Sequence, residues 1–270
     1  MKKIAVILGL VFFTQFAMSQ NKFRFGLKIA PSINWLTPSD TKKFEGNGSA
    51  LGFGGGLTIE YIISESFSFY SGLELQSEKG KINFQPNDNS TKVYYFMNKD
   101  YSFIETTEVD GDYIPEDTSA YQVQLISRAY KNSYVTIPVG IKMKTKEIGY
   151  MTYFGEFGLN LAFRTGTKIA DEVDYLKDND AKADIGDITE VNMDKDMQPL
   201  RVQLKFGLGA EYKISEGTSV FGGLHYNLGF TNVVKGDSKF LVSPNSTGDN
   251  KPVTQNFKAH GVQLTIGVLF

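Results

Sequence analysis

The chain contains two imidazoles, His225 and His260, and no cysteine. The missing thiols remove disulfides, thiol catalysis and thiolate metal sites. A hydroxyl nucleophile would need a base within about 3 Å and a third group to orient that base. His225 has Ser219 and Asn227 on its own face of an alternating run, yet no serine lies two positions from either histidine. No motif around them repeats a catalytic signature. His225 therefore reads as part of a polar interior and His260 as an outward residue at a rim. The acids from Asp171 to Asp196 supply oxygens of the kind Ca²⁺ takes, but they lack the D-x-[DN]-x-[DN]-G spacing. Gly52, Gly54, Gly55 and Gly56 precede no helix, so they form no phosphate cradle and instead permit strand curvature. The expectation is a non-enzymatic protein with no catalytic, cofactor-binding or metal-ligating residues.

The charged residues are more orderly than the histidines. Arg24 and Lys28 alternate with Phe23, Phe25, Leu27 and Ile29, and Lys142 and Lys144 with Ile141 and Met143. Arg201, Lys205 and Glu211 alternate with Val202, Leu204, Phe206 and Tyr212. A period of two places one set on each face of a strand. The polar face collects Arg24, Lys28, Glu60, Glu74, Glu78, Lys142, Lys144, Glu156, Arg164, Arg201, Lys205, Glu211 and Lys213. Both signs occur, so these groups can neutralise one another in a low-dielectric interior. One reading is a salt-bridged plug. The alternative is a narrow channel, which needs a continuous water path past the charges.

Such faces require strands, and eight can be placed. They run from Lys22 to Leu36, Ala50 to Ile63, Phe67 to about Glu78, Tyr134 to Lys144, Met151 to Arg164, Pro199 to Ile214, Ser219 to Phe230 and Phe257 to Phe270. In the last, Val262, Leu264, Ile266, Val268 and Phe270 share one face. Pro138 removes a ladder donor from the fourth strand and implies a bulge or a locally unpaired face. Short links at Ser64-Glu65 and Ser215-Glu216-Gly217 contrast with long excursions at Lys79 to Ala120 and Gly166 to Gln198. The second excursion carries ten acids against four lysines and is expected to be a mobile external loop. The first holds an additional hairpin, Val93 to Met97 and Tyr101 to Thr106. It either extends a strand above the membrane or raises the count to ten. Its aromatics Tyr94, Tyr95, Phe96, Tyr101 and Phe103 either dock a protein partner or pack on one another above the rim.

The predicted fold is all-β: an eight-stranded antiparallel up-and-down transmembrane β-barrel with long extracellular loops, its last strand pairing with its first. An open edge cannot persist in lipid, which is why closure is required. Lys2 and Lys3, the apolar run Ile4 to Phe13 and an A-x-S pattern before Gln20 read as a secretory signal over residues 1–19. Residues 20–270 form the barrel domain, placed in the outer membrane and surrounded by its lipid. Lys+Arg number 28 and Asp+Glu 30, a balance that gives no reason to expect nucleic acid as a partner. Nothing in the residues sets an oligomeric state.

The run Tyr134 to Phe163, YVTIPVGIKMKTKEIGYMTYFGEFGLNLAF, resembles the outer-membrane β-barrel proteins of Bacteroidetes, and within them the PorT family. The matching features are the tyrosine-led strand reaching Ile137-Pro138, its lysine-rich end and the return through Tyr153-Phe154-Gly155. The resemblance implies a part in type IX protein secretion and secretion-system proteins as partners. It supplies no catalytic residues.

Overall fold

The structure, a computed structural model, describes residues 22–84, 86, 91–98, 100, 102–175 and 188–270. The signal expected at 1–19 and the loop residue Tyr101 lie outside these residues. Numbered along the chain, the strands are β1 (Phe23–Pro38), β2 (Glu45–Gly46), β3 (Ala50–Ser64), β4 (Phe67–Asn83), β5 (Val93–Met97), β6 (Phe103–Ile104), β7 (Thr106–Val109) and β8 (Asp112–Pro115). There follow β9 (Tyr121–Lys144), β10 (Met151–Tyr175), β11 (Ile188–Asn192), β12 (Leu200–Lys213), β13 (Ser219–Gly229), β14 (Asp237–Pro244), β15 (Asn250–Thr254) and β16 (Phe257–Leu269).

Eight of these close a ring in the order β1-β3-β4-β9-β10-β12-β13-β16. β16 returns to β1 along the register Gly26↔Leu269 to Pro38↔Phe257. Every neighbouring pair is antiparallel. The wall has no free edge, which is the condition for a sheet in hydrocarbon. The hairpin β5–β6 does not enter the ring. It pairs with the far end of β9, Val93↔Leu125 to Met97↔Tyr121, so the count is eight and not ten. Opposite Ile137-Pro138 the β4–β9 ladder skips two positions without changing register, the locally unpaired face that the missing N–H of Pro138 demands.

Burial is inverted relative to a water-soluble sandwich. Leu51 and Leu208 are each 74% exposed, whereas Glu60 and Lys205 are each 2% exposed. Large apolar side chains point outward from all eight wall strands, among them Leu27, Leu57, Leu73, Val139, Phe157, Phe206, Leu224 and Ile266. A contiguous apolar belt of this kind is a surface made for lipid.

Toward the long-loop end the wall continues further than its alternation suggests. The stretch 166–175, expected to be part of a mobile loop, continues β10 and pairs with β9 from Gly166↔Ser133 to Tyr175↔Val123. β11 folds back onto it at Lys168↔Asn192 and Ile169↔Val191. Residues 176–187 are not among those described. The acids of 166–175 make that stretch read as a loop, and two register shifts also break the alternation of the paired strands. Between Arg164↔Tyr134 and Gly166↔Ser133 the pairing slips by one, leaving Thr165 as an extra residue on β10. Between Glu172↔Ser127 and Val173↔Leu125 it slips again, leaving Ile126 extra on β9. Each bulge reverses which parity faces inward. Beyond them Thr167, Ile169 and Asp171 on β10, and Val123 and Leu125 on β9, are buried.

Those inward apolar residues build a second core above the barrel. Phe44, Phe84, Tyr95, Met97, Tyr130 and Ile169 pack in it with residues of β14 and the adjoining loops. Phe257, the first residue of β16, is its hub, with ring contacts to Phe44 at 5.2 Å, Phe84 at 6.1 Å and Tyr130 at 6.4 Å. Removing that ring leaves a large cavity among side chains held by strand backbones. Phe257→Ala is expected to destabilise the cap by about 3–5 kcal/mol. Limited proteolysis of the loops should accelerate while the heat-modifiable gel migration of the barrel persists. Unchanged loop cleavage would disprove the hub role.

Candidate functional site

The polar faces of the wall strands meet in the lumen and bond in layers. At the short-turn end, Glu211 receives Arg24 at 2.8 Å, Lys142 at 2.6 Å and Lys144 at 3.3 Å. Glu60 pairs with Lys144, lies 3.7 Å from Lys142 and accepts from Ser68 Oγ at 2.6 Å. One layer in, Lys28 pairs with Glu74, and Lys205 with Glu156 at 3.3 Å. Higher still, Arg201 Nη2 donates to Glu78 Oε1 at 2.8 Å, and its guanidinium lies 4.2 Å from the Tyr134 ring centre. These six cations and five carboxylates leave each charge with at least one opposite neighbour, which offsets the cost of taking them out of water.

Among the residues assigned inward by alternation, Arg164 and Lys213 end up outside this network. Arg164 points in at the long-loop rim, where it pairs with Asp194 and its Nε donates to the Gln198 carbonyl at 3.3 Å. Lys213 sits at the short-turn rim, 3.2 Å from Glu147 and largely in solvent.

His225 is buried and bridges two strands. Its Nε2 lies 3.0 Å from Glu156 Oε2 and its Nδ1 3.3 Å from Thr265 Oγ1. The carboxylate takes an N–H and the hydroxyl then donates to the other nitrogen, which assigns the tautomer from its partners. Glu156, His225 and Thr265 come from β10, β13 and β16, so no local spacing announces them. Their order mimics a carboxylate–imidazole–hydroxyl triad. Access is what it lacks. The space enclosed by Lys28, Tyr70, Glu156, Lys205, His225 and Thr265 is about 20 Å³, room for about one water. A side chain at Gly207 would collide with the His225 ring, which accounts for the small residue there.

The lumen is closed from both sides. Near the short turns an open vestibule of about 450 Å³, bordered by Arg24, Lys144, Glu211 and Lys213, gives way to an apolar cluster of Phe154, Phe221 and Leu269. Lys142 Nζ stands 4.0 Å from the centre of the Phe154 ring. At the opposite end the apolar cap lies across the mouth. Within it Arg128, absent from any sequence reading, makes a two-pronged pair with Asp171, both contacts 2.7 Å. The Arg128 guanidinium lies beside the paired rings of Tyr95 and Phe103, 5.6 and 5.5 Å from their centres.

The loop aromatics divide accordingly. Tyr95 and Phe96 are buried, Phe103 packs against Tyr95 and Phe240, and Tyr94 is partly covered. Among the described members of this group, Tyr95 and Phe103 pack ring to ring. The hairpin β7–β8 lies outside the wall ring, with Val109 46% and Ile114 37% exposed, and its turn leans on β15, where Lys251 Nζ bonds the Gly111 carbonyl. Thr106 Oγ1 donates to the Lys239 carbonyl at 3.2 Å and fixes its base, while Asp112 accepts from the Asn250 N–H at 2.6 Å beside its turn. Among the described residues no helix is long and apolar enough to cross a membrane, and no group of three or more acids and histidines is arranged to hold a metal ion.

The family model for the outer membrane protein beta-barrel domain matches residues 14–235. The chain belongs to that family. Its place is therefore the outer membrane, with the short turns on the periplasmic side and the long loops outside, as in barrels of this kind. No curated protein sequence matches the chain. Among solved structures it is similar to Neisserial surface protein A, at 12% identity over 92% of this chain and 95% of that one, with a TM-score of 0.41. It is also similar to OprG from Pseudomonas aeruginosa, at 10% identity over 92% and 94%, with a TM-score of 0.43. A third similarity is to the outer membrane protease OmpT from Escherichia coli, at 7% identity over 93% and 97%, with a TM-score of 0.30. These are distant likenesses.

The layered charges predict an asymmetric response to substitution. Glu156→Ala strips Lys205 and His225 of their carboxylate and should cost about 3–5 kcal/mol in denaturant unfolding from lipid vesicles. Arg201→Met keeps volume but orphans Glu78, and should be similarly harmful. Arg201→Met combined with Glu78→Gln should recover most of the loss. Equal stability of all three variants with the parent would show that the pairs do not hold the lumen.

Proposed function

We propose that the protein is a non-enzymatic, non-conducting outer-membrane barrel whose work is done by its extracellular cap. We further propose that, like the PorT family it resembles, it supports protein export by the type IX route. The observation that carries the first part is the doubly closed lumen: ion pairs and an apolar cluster fill it from the periplasmic side, and the apolar cap covers it outside. An eight-stranded barrel has an interior just wide enough for side chains to fill. Enclosure of Glu156, His225 and Thr265 without room for a substrate supports the non-enzymatic reading. The secretion role is supported by the motif of Tyr134 to Phe163.

A cap held on a rigid wall is a suitable place for binding residues. Since Tyr95 is spent on the cap's own core, the surface offered to a secretion-system protein is the exposed face of hairpin β7–β8, with Val109 and Ile114. The vestibule of about 450 Å³ is what favours the alternative, a narrow channel for small solutes. To pass, ions would have to part Lys142 from Glu211 and Lys28 from Glu74.

Two measurements separate these readings. In planar bilayers the purified protein should give no steady single-channel conductance, and a reproducible open level would establish the channel instead. Deleting Thr106 to Pro115 should leave barrel assembly intact, because the hairpin lies outside the ring, while secretion of exported proteins falls. Normal secretion with the hairpin gone would remove the partner surface from this proposal.

A further inference from the structure

Where the apolar wall of β4, β9 and β10 ends, its outward face changes character. The last apolar row is Leu75, Val135 and Phe163. Two residues further come Ser77 and Ser133, and two beyond these Lys79, Lys131 and Lys168. The register makes these three lysines direct cross-strand neighbours: Lys79 pairs with Lys131, and Lys131 with Lys168. Lys81 follows on β4, 3.3 Å from Glu172, an acid on the outward face of β10. All of them point out from the barrel, above the lipid belt.

The surface there is concave. A groove of about 390 Å³ is lined by the four lysines and by the small residues Ala129 and Ala170, which lie in the same outward row as Lys81. Loop residues Asn47 and Ser49 close one side, with the Asn47 N–H bonded to the Lys81 carbonyl at 2.8 Å. Strand spacing sets the row of ammonium groups at about 10 Å wide. Four residues above Leu75, on strands tilted as in such barrels, the row stands roughly 10 Å beyond the apolar belt, in the headgroup layer. The far side of the barrel differs, with Trp35, Tyr226, Phe206 and His260 forming an aromatic patch on its outer face.

We propose that this lysine groove binds the phosphate groups of a phosphorylated glycolipid in the outer leaflet. Three adjacent cations at headgroup depth suit a phosphate, which offers several acceptor oxygens at one point, and the small residues of the groove let the sugar to which it is attached approach the wall. Clusters of lysine against a membrane surface attract anionic lipid additively. The lipid supplies the anchor and β4, β9 and β10 supply the charge.

The test uses the full chain folded in detergent, with bisphosphorylated lipid A as probe and native mass spectrometry to count retained lipid. The triple variant Lys79→Gln, Lys131→Gln, Lys168→Gln should bind on the order of a hundredfold more weakly. Dephosphorylated lipid A should not be retained by the parent. The triple arginine variant should bind as the parent does, and Lys258→Gln, on β16, should change nothing. Heat-modifiable migration checks that each variant folds. Undiminished binding by the glutamine variant, or equal retention of the dephosphorylated lipid, would overturn the proposal. Displacement of the lipid by inorganic phosphate at matched concentration would also overturn it, by making this a free-phosphate site.

Discussion

A peptide group in hydrocarbon has no water to bond with, and the whole architecture answers to that. Each N–H and C=O in the wall must find a partner on the next strand, so the first strand must meet the last. The ladder between β1 and β16, from Gly26↔Leu269 to Pro38↔Phe257, completes that circle. Closing eight strands leaves an interior only as wide as side chains. The outward face must then be apolar, and the polar residues have nowhere to go but inward, where they need partners among themselves.

Those partners are arranged by register. Because the sheet is closed, strands distant in sequence bring charges together: Arg24 of β1 reaches Glu211 of β12, and Glu78 of β4 meets Arg201 of the same strand β12 across the lumen. Exchanging such pairs for apolar residues is often neutral for stability, but removing one member is costly, so pairing constrains the alternatives more than it adds net energy. A strand slipped by one residue would send lysines into lipid and leucines into the ion network.

Above the membrane the same strands obey a different solvent. Water outside favours an apolar inside, and there the inward positions turn apolar, with the bulges at Thr165 and Ile126 shifting which parity of β10 and β9 supplies them. The wall strands thus carry an inside-out segment in lipid and a conventionally packed one in water. Phe257 belongs to the second and Val262 onward to the first, within a single strand.

The barrel and its strand number were legible in the sequence, and so were the lumen charges apart from Arg164 and Lys213, which sit at the rims. A period of two carries face assignment locally, and in a membrane only one face can hold Arg24, Lys28, Glu156 and Lys205. That logic gives way where a strand is rich in acids and carries an extra residue, as at Thr165, and so 166–175 reads as a loop although it is wall. Contacts between strands were likewise beyond reach. The meeting of Glu156, His225 and Thr265, the Arg128–Asp171 pair in the cap and the row of Lys79, Lys131 and Lys168 each join residues from different strands. The chain's own pattern decided which face each of these strands turns to lipid. Only closure of the sheet, with its register and its two bulges, decided which residues share a height and touch.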